Sequence, residues 1–149
     1  MAKNKPEFTI QSYGIYSEWD AKSKELPKIQ QFTTDIPAEV DIEFGYILNV
    51  KKGKGCLLNF IIYHPNVLDK KGHVMAPFED EVYVKTNDWD FFLGDTIWAP
   101  IDDKIGPWRI VIEYQGNIIT DKTFDISLDY CDQMDDFALL NRKVSQRKY

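Results

Sequence analysis

Cysteine and histidine are the scarcest reactive residues in this sequence, two of each among 149. Cys56 and Cys131 stand far apart and outside any Cys-x-x-Cys spacing, so neither a zinc nor a dithiol redox motif is indicated. Two buried, reduced thiols are the expected reading; whether the pair meets depends on Cα separation, which spacing leaves open. Long apolar runs are also missing. No window approaches the ~18–20 apolar residues of a membrane span. The opening Met-Ala-Lys-Asn-Lys-Pro-Glu carries charge without the apolar stretch of a secretory signal. The chain therefore reads as cytoplasmic, with no membrane partner. Positive charge is in deficit: 18 Lys and Arg against 24 Asp and Glu give a formal net charge of −6. Nucleic-acid affinity rests on cations that neutralise phosphates, so no nucleic-acid partner is expected. The basic clusters at Lys51, Lys52 and Lys54, and at Arg142, Lys143, Arg147 and Lys148, read as turns and a solubilising tail.

What is present suits one β domain. The length is that of a single domain, and 44% hydrophobic with 28% charged residues is a globular balance that argues against disorder. Aromatics reach 14%, and such side chains pack well on a pleated sheet. Period-two alternation is the clearest pattern. Val40, Ile42, Phe44, Tyr46, Leu48 and Val50 alternate with Asp41, Glu43, Gly45 and Asn49, which predicts a strand with one face on a core and one on solvent. A Lys-Lys-Gly-Lys-Gly turn follows, then a strand over Cys56–Tyr63 that stops at Pro65, where no N–H is left to pair. A second hairpin runs from Trp108 to Ile126, turning at Gly116-Asn117. Weaker strands are expected at Phe8–Tyr16, with Phe8, Ile10 and a Tyr13/Ile15 pair, at Lys28–Thr34, short enough for an edge, around Val82 and Val84, and at Thr96–Trp98. Asn66–Asp80 reads as a long connection.

The end of the chain changes character. Ser127 is placed to cap a helix whose apolar positions include Cys131, Met134, Phe137, Ala138 and Val144. Aspartates early and Arg142, Lys143 and Arg147 late complement its dipole. The expected organisation is a tail over 1–7, an all-β, immunoglobulin-like antiparallel β-sandwich over 8–127, and a short C-terminal helix with a basic tail over 128–149.

Ile36-Pro37-Ala38, Phe44-Gly45, Tyr63-His64-Pro65, Gly72, Gly106-Pro107-Trp108, Tyr114-Gln115-Gly116 and Phe124 occur in an order and spacing that resembles a bacterial family known as domain of unknown function 3859. The resemblance covers roughly residues 8 to 127. It implies a β-sandwich and brings no activity, ligand or catalytic residue with it. Members often begin with a secretion signal, which is not visible here, and the segment after Ser127 reads as an addition. Each shared residue also has a structural use: Pro37 and Pro107 start strands, Gly45 marks a bulge or a close contact, and Trp108 and Tyr114 fill the core.

Candidate chemistry is thin. His64 and His73 bracket Asp69, but the spacing supplies neither coordination geometry nor a second shell of partners for a metal. Glu79-Asp80-Glu81 and Asp102-Asp103 lack the alternating oxygens and glycine of a calcium loop and read as solvated loops. Cys56 and His64 lie too far apart along one strand to form a nucleophile pair. No Gly-x-Ser-x-Gly elbow or phosphate loop is present. Neither an enzyme nor a cofactor is expected, and no metal ligand is assigned. The stretch Asn87–Pro100 reads as an aromatic, acidic loop. Its Trp89, Phe91, Phe92 and Trp98 form a candidate binding patch if exposed and an end cap of the core if buried. The function that fits is a binding or interaction module for a protein partner or a second copy. The alternative is a carbohydrate- or peptide-binding protein with an aromatic-lined site.

Overall fold

The computed structural model describes residues 5–17 and 25–128. Within them the strands are β1 (Glu7–Tyr16), β2 (Ile29–Gln31), β3 (Asp35–Pro37), β4 (Glu43–Lys51), β5 (Leu57–Tyr63), β6 (Phe78–Tyr83), β7 (Asp88–Thr96), β8 (Gly106–Tyr114) and β9 (Asn117–Ser127), and the only helical piece is a 3-10 turn at Asp102–Lys104. The helix expected after Ser127, with Cys131, lies outside the described residues.

The strands form two sheets, one in the order β2-β1-β4-β7 and the other β3-β9-β8-β5-β6. The arrangement is not purely antiparallel, because β3 runs parallel to the end of β9. The sandwich closes because each central strand turns alternate apolar side chains inward. From β4 these are Phe44, Tyr46, Leu48 and Val50, and from β8 Trp108, Ile110 and Ile112, all fully buried. Phe44 meets Trp108 edge-on at 5.5 Å and Phe124 at 5.7 Å, the offset geometry that ring quadrupoles favour.

The strands on either side of the Lys51–Gly55 turn, expected to pair as a hairpin, lie in different sheets, so that β4 pairs with β1 and β7 and β5 with β6 and β8. Several boundaries differ from the sequence reading as well. Val40 lies outside β4, 47% exposed, and the following Asp41 takes φ 75°, a turn conformation that delays the strand. The second hairpin turns on Gln115-Gly116, one residue earlier than expected. Both have positive φ, 52° and 81°, which makes the turn match strand twist. Glu79–Glu81 belong to strand β6, and most of the expected Asn87–Pro100 loop is strand β7, nine residues paired along all of β4. The tethering of those residues to β4 overrides the loop-like acidic composition.

The second face of β4 is not on solvent either. Glu43, Ile47 and Asn49 point away from the main core yet are buried. Ile47 joins Tyr16 and Phe92 in a second apolar cluster, with Leu26 and Ile29 packed against it. Room for these rings comes from a row of glycines. Gly14, Gly45 and Gly94 are register partners across β1, β4 and β7. A Cβ on Gly45 would overlap the Leu93 carbonyl oxygen, and one on Gly94 the Phe44 carbonyl oxygen. Tyr16 reaches from one side of Gly14 to the other, its hydroxyl 2.8 Å from Ser12 Oγ, and burial pushes its pKa up to about 12.

Candidate functional site

Each sheet leaves edges, and in the five-stranded sheet β6 is one of them. β6 has one neighbour, β5, in unbroken register from Leu57–Tyr83 to Ile62–Phe78. Just beyond it, Val84 exchanges both backbone bonds with the β5 side, donating to Cys56 and accepting from Gly55. Antiparallel ladders alternate, so the backbone groups of Tyr83, Glu81 and Glu79 turn away from β5. The Glu81 N–H is indeed taken by the Asp80 carboxylate at 2.8 Å. Tyr83 is 62% exposed.

The outward face beside this edge is built in rows, since register partners share a face. Asn59 of β5 stands between Glu81 of β6 and Glu113 of β8, and Ile61 stands between Glu79 and Val111. A shallow depression of about 350 Å³ lies here, lined by Asn59, Phe60, Ile61, Glu79, Asp80, Glu81 and Glu113. Among the described residues no cation pairs with Glu79, Glu81 or Glu113. The nearby Arg109 is committed to Asp121 through two bonds of 2.9 and 2.7 Å and lies over the Tyr63 ring at 5.5 Å. Hydrogen bonding from Arg109 holds the Asp121 carboxyl below its ordinary value. This face was missed in the sequence because Glu79-Asp80-Glu81 reads as a loop. The available signal was Phe78, Asp80, Val82 and Val84 alternating with Glu79, Glu81 and Tyr83.

The four aromatic residues singled out in the sequence go to three places. Trp89 and Phe91 stack 4.8 Å apart and pack, partly buried, against the main core. Phe92, one residue on, faces the opposite side of the sheet and meets Tyr16 at 4.9 Å. Period two separates these neighbours. Trp98, 36% exposed, lies beyond β7 at the end of the sandwich, edge-on to Trp108 at 6.2 Å. The four rings therefore do not line one site.

Around Trp98 the chain buries a cation. Lys104 is 1% exposed; its Nζ donates to the Pro100 carbonyl at 2.8 Å and to Asp103 Oδ1 at 2.6 Å, and sits 4.4 Å from the Trp98 ring centre. Its own carbonyl accepts from Trp108 Nε1 at 2.8 Å. Asp103 also accepts the Leu68 N–H at 3.0 Å. Burial would raise this carboxyl, but the Lys104 and Leu68 bonds outweigh it and hold it low. Asp103 is thus a structural tie, not part of a solvated loop.

His64 is tied as well. Its ring nitrogens lie 2.7 Å from the Pro65 carbonyl and 2.9 Å from the Ala76 carbonyl, and the ring rests between Phe78 and Trp108. It pins the 65–76 connection. His73 is exposed, 4.0 Å from Asp69. Among the described residues no three His, Cys, Asp or Glu gather as metal ligands. Asp95, a register partner of inward-facing Phe44, is raised by burial, with the Thr96 N–H and His64 pulling the other way.

Cys56 lies at the other end, its thiol 3.4 Å from the Tyr114 hydroxyl. It lines an open cleft of about 650 Å³ with Lys52, Lys54 and Asn59. No helix among the described residues is long and apolar enough to cross a membrane.

An immunoglobulin-like protein from Pseudomonas aeruginosa, known from a crystal structure, superposes with a TM-score of 0.65 at 20% identity, over 81% of this chain and 97% of that one. At that identity the likeness shows the fold, an immunoglobulin-like sandwich. A comparison with curated proteins finds no match. The family model for the domain of unknown function DUF3859 matches residues 4–126, and the chain belongs to that family.

Proposed function

We propose that this domain is a protein-interaction module that accepts an extended segment of a partner along the outer edge of β6. The observation that carries the reading is the pairing of β6: one neighbour, with the backbone of Glu79, Glu81 and Tyr83 turned outward. An unpaired strand edge is a template for an added strand, where main-chain hydrogen bonds supply affinity and alternate side chains supply specificity. Self-pairing is disfavoured, because a second copy would set Glu79 and Glu81 against like charges. Dispersal of Trp89, Phe91, Phe92 and Trp98 leaves the aromatic small-ligand reading without a common surface.

The test follows backbone amide resonances while a panel of short extended peptides is titrated in. The reading expects shifts centred on Glu79, Glu81 and Tyr83. It also expects their loss in Glu81→Pro, which blocks the outer edge while the β5 ladder persists, since the Glu81 N–H points away from β5. Amides in β6 that stay still with every peptide would refute it.

A further inference from the structure

The face beside β6 indicates what the partner segment carries. Glu79 and Glu81 stand two residues apart on one side of the edge strand, so their carboxylates repeat every ~7 Å along it. Glu113 lies two strands further in, on the same face across Asn59. None of the three has a cationic partner among the described residues, and the one arginine on this face is bound to Asp121. Between the carboxylates lies Ile61, half-buried, beside the buried Val111, and at the ends of the face stand Tyr63 and Tyr83, 38% and 62% exposed. The surface therefore offers outward backbone groups, of which the Glu81 N–H would exchange its Asp80 carboxylate for the partner, a run of negative charge at strand spacing, and at Ile61 apolar ground for a long side-chain stem.

We infer that β6 takes a basic β-strand, a segment of another protein with lysine or arginine at alternate positions. This deepens the edge-pairing reading and rests on it. A strand laid beside β6 places its alternate side chains ~4.5–5.5 Å from Glu79 and Glu81, on the same face. The charged heads of lysine or arginine then meet the carboxylates, while their methylene stems cover Ile61. Arginine reaches further and binds a carboxylate through two parallel bonds, so it is preferred to lysine opposite Glu79 and Glu81, while Glu113, two strands further in, adds to the negative field without touching the partner. The contacts are on an exposed rim, and the two of them with the field of Glu113 are worth on the order of tenfold in affinity.

The experiment titrates the labelled domain with three peptides of equal length that alternate valine with arginine, with serine or with glutamate. The inference expects the arginine peptide to bind most tightly, the glutamate peptide least, and affinity for the first to fall with added salt. Replacing Glu79, Glu81 and Glu113 together by Gln should weaken the arginine peptide about tenfold and leave the serine peptide unchanged. Equal binding of all three peptides at β6 would overturn the basic-partner inference while keeping the edge reading. Failure of every peptide to move the β6 amides would overturn both. The Gln replacements sit on exposed side chains, so the fold is retained, and the circular dichroism spectrum verifies it.

Discussion

The hydroxyl of Tyr46 on β4 lies 2.8 Å from the hydroxyl of Thr120 on β9 and donates to the Ile110 carbonyl of β8 at 3.2 Å, tying the two sheets together through a polar contact inside an apolar core. Burial holds the Tyr46 phenol far above its ordinary pKa, so it stays a donor across the accessible pH range. Tyr46→Phe leaves Thr120 without its partner and should cost about 1–2 kcal/mol. Thr120→Val in the Tyr46→Phe background should recover part of that loss, since removing both polar groups is milder than orphaning one. Urea unfolding of the single and double variants measures the coupling.

Substitution of the cross-strand glycines should be far more damaging than substitution of a turn glycine. Gly45→Ala drives a methyl into the Leu93 carbonyl, with φ at 151°, and backbone of two paired strands cannot yield cheaply. A loss above ~3 kcal/mol is expected. Gly116 also has positive φ but meets nothing within 4 Å, so Gly116→Ala should cost only ~1 kcal/mol. Similar losses at both positions would show that conformation, and not the close strand approach, dominates.

Lys104→Ala should cost about 2–4 kcal/mol, because Asp103 and the Pro100 carbonyl lose a buried donor and a cavity opens beneath Trp98. Lys104→Met keeps most of the volume and should recover at least half of that loss. Tryptophan fluorescence during denaturation reports both, since Trp98 and Trp108 flank the site.

Asp95 gives a pH signature of definite sign. Burial raises its folded pKa above the ordinary 3.8, so the folded chain binds this proton more tightly than the unfolded one. That contribution to stability is complete below the unfolded value and is lost as pH rises through the raised folded value. Asp121, held low by Arg109, acts oppositely: its contribution is present above the unfolded value and is lost as pH falls. Asp95→Asn should therefore stabilise the protein at neutral pH, with the gain shrinking as the medium becomes acidic. Melting temperatures of the variant and parent, compared across pH, would contradict this if the gap widened in acid.

The shift of apolar parity in β1 shows how much local pattern records. Phe8 and Ile10 are even, Tyr13 and Ile15 odd, yet all four pack on the main core, and the structure resolves this with a register break between Ile10 and Ser12. An extra residue in one strand flips every later side chain, and only a bulge lets both pairs face inward. The pairing of β4 with β5 expected across the Lys51–Gly55 turn does not form, because that turn carries the chain from one sheet to the other. The hairpin of β8 and β9, by contrast, was readable for the same reason: period two and turn residues are local properties. β7 was not. Asp88, Asp90 and Asp95 give it a loop-like composition, and its place is set by pairing with β4, some forty residues earlier in the chain.

The amino-acid sequence by itself determined the fold class, the hairpin of β8 and β9, the inward residues of β4 and β8 and the family, because alternation and turn chemistry act over a few residues. Tertiary structure decided the rest. It sent Phe91 and Phe92 to opposite faces, buried Lys104 against Asp103, and aligned Gly14, Gly45 and Gly94 in one row. It also brought Glu79, Glu81 and Glu113 together beside an open edge. Each of these depends on which strand lies beside which, and that is fixed by long-range hydrogen bonding and core packing, to which distance along the chain is no guide.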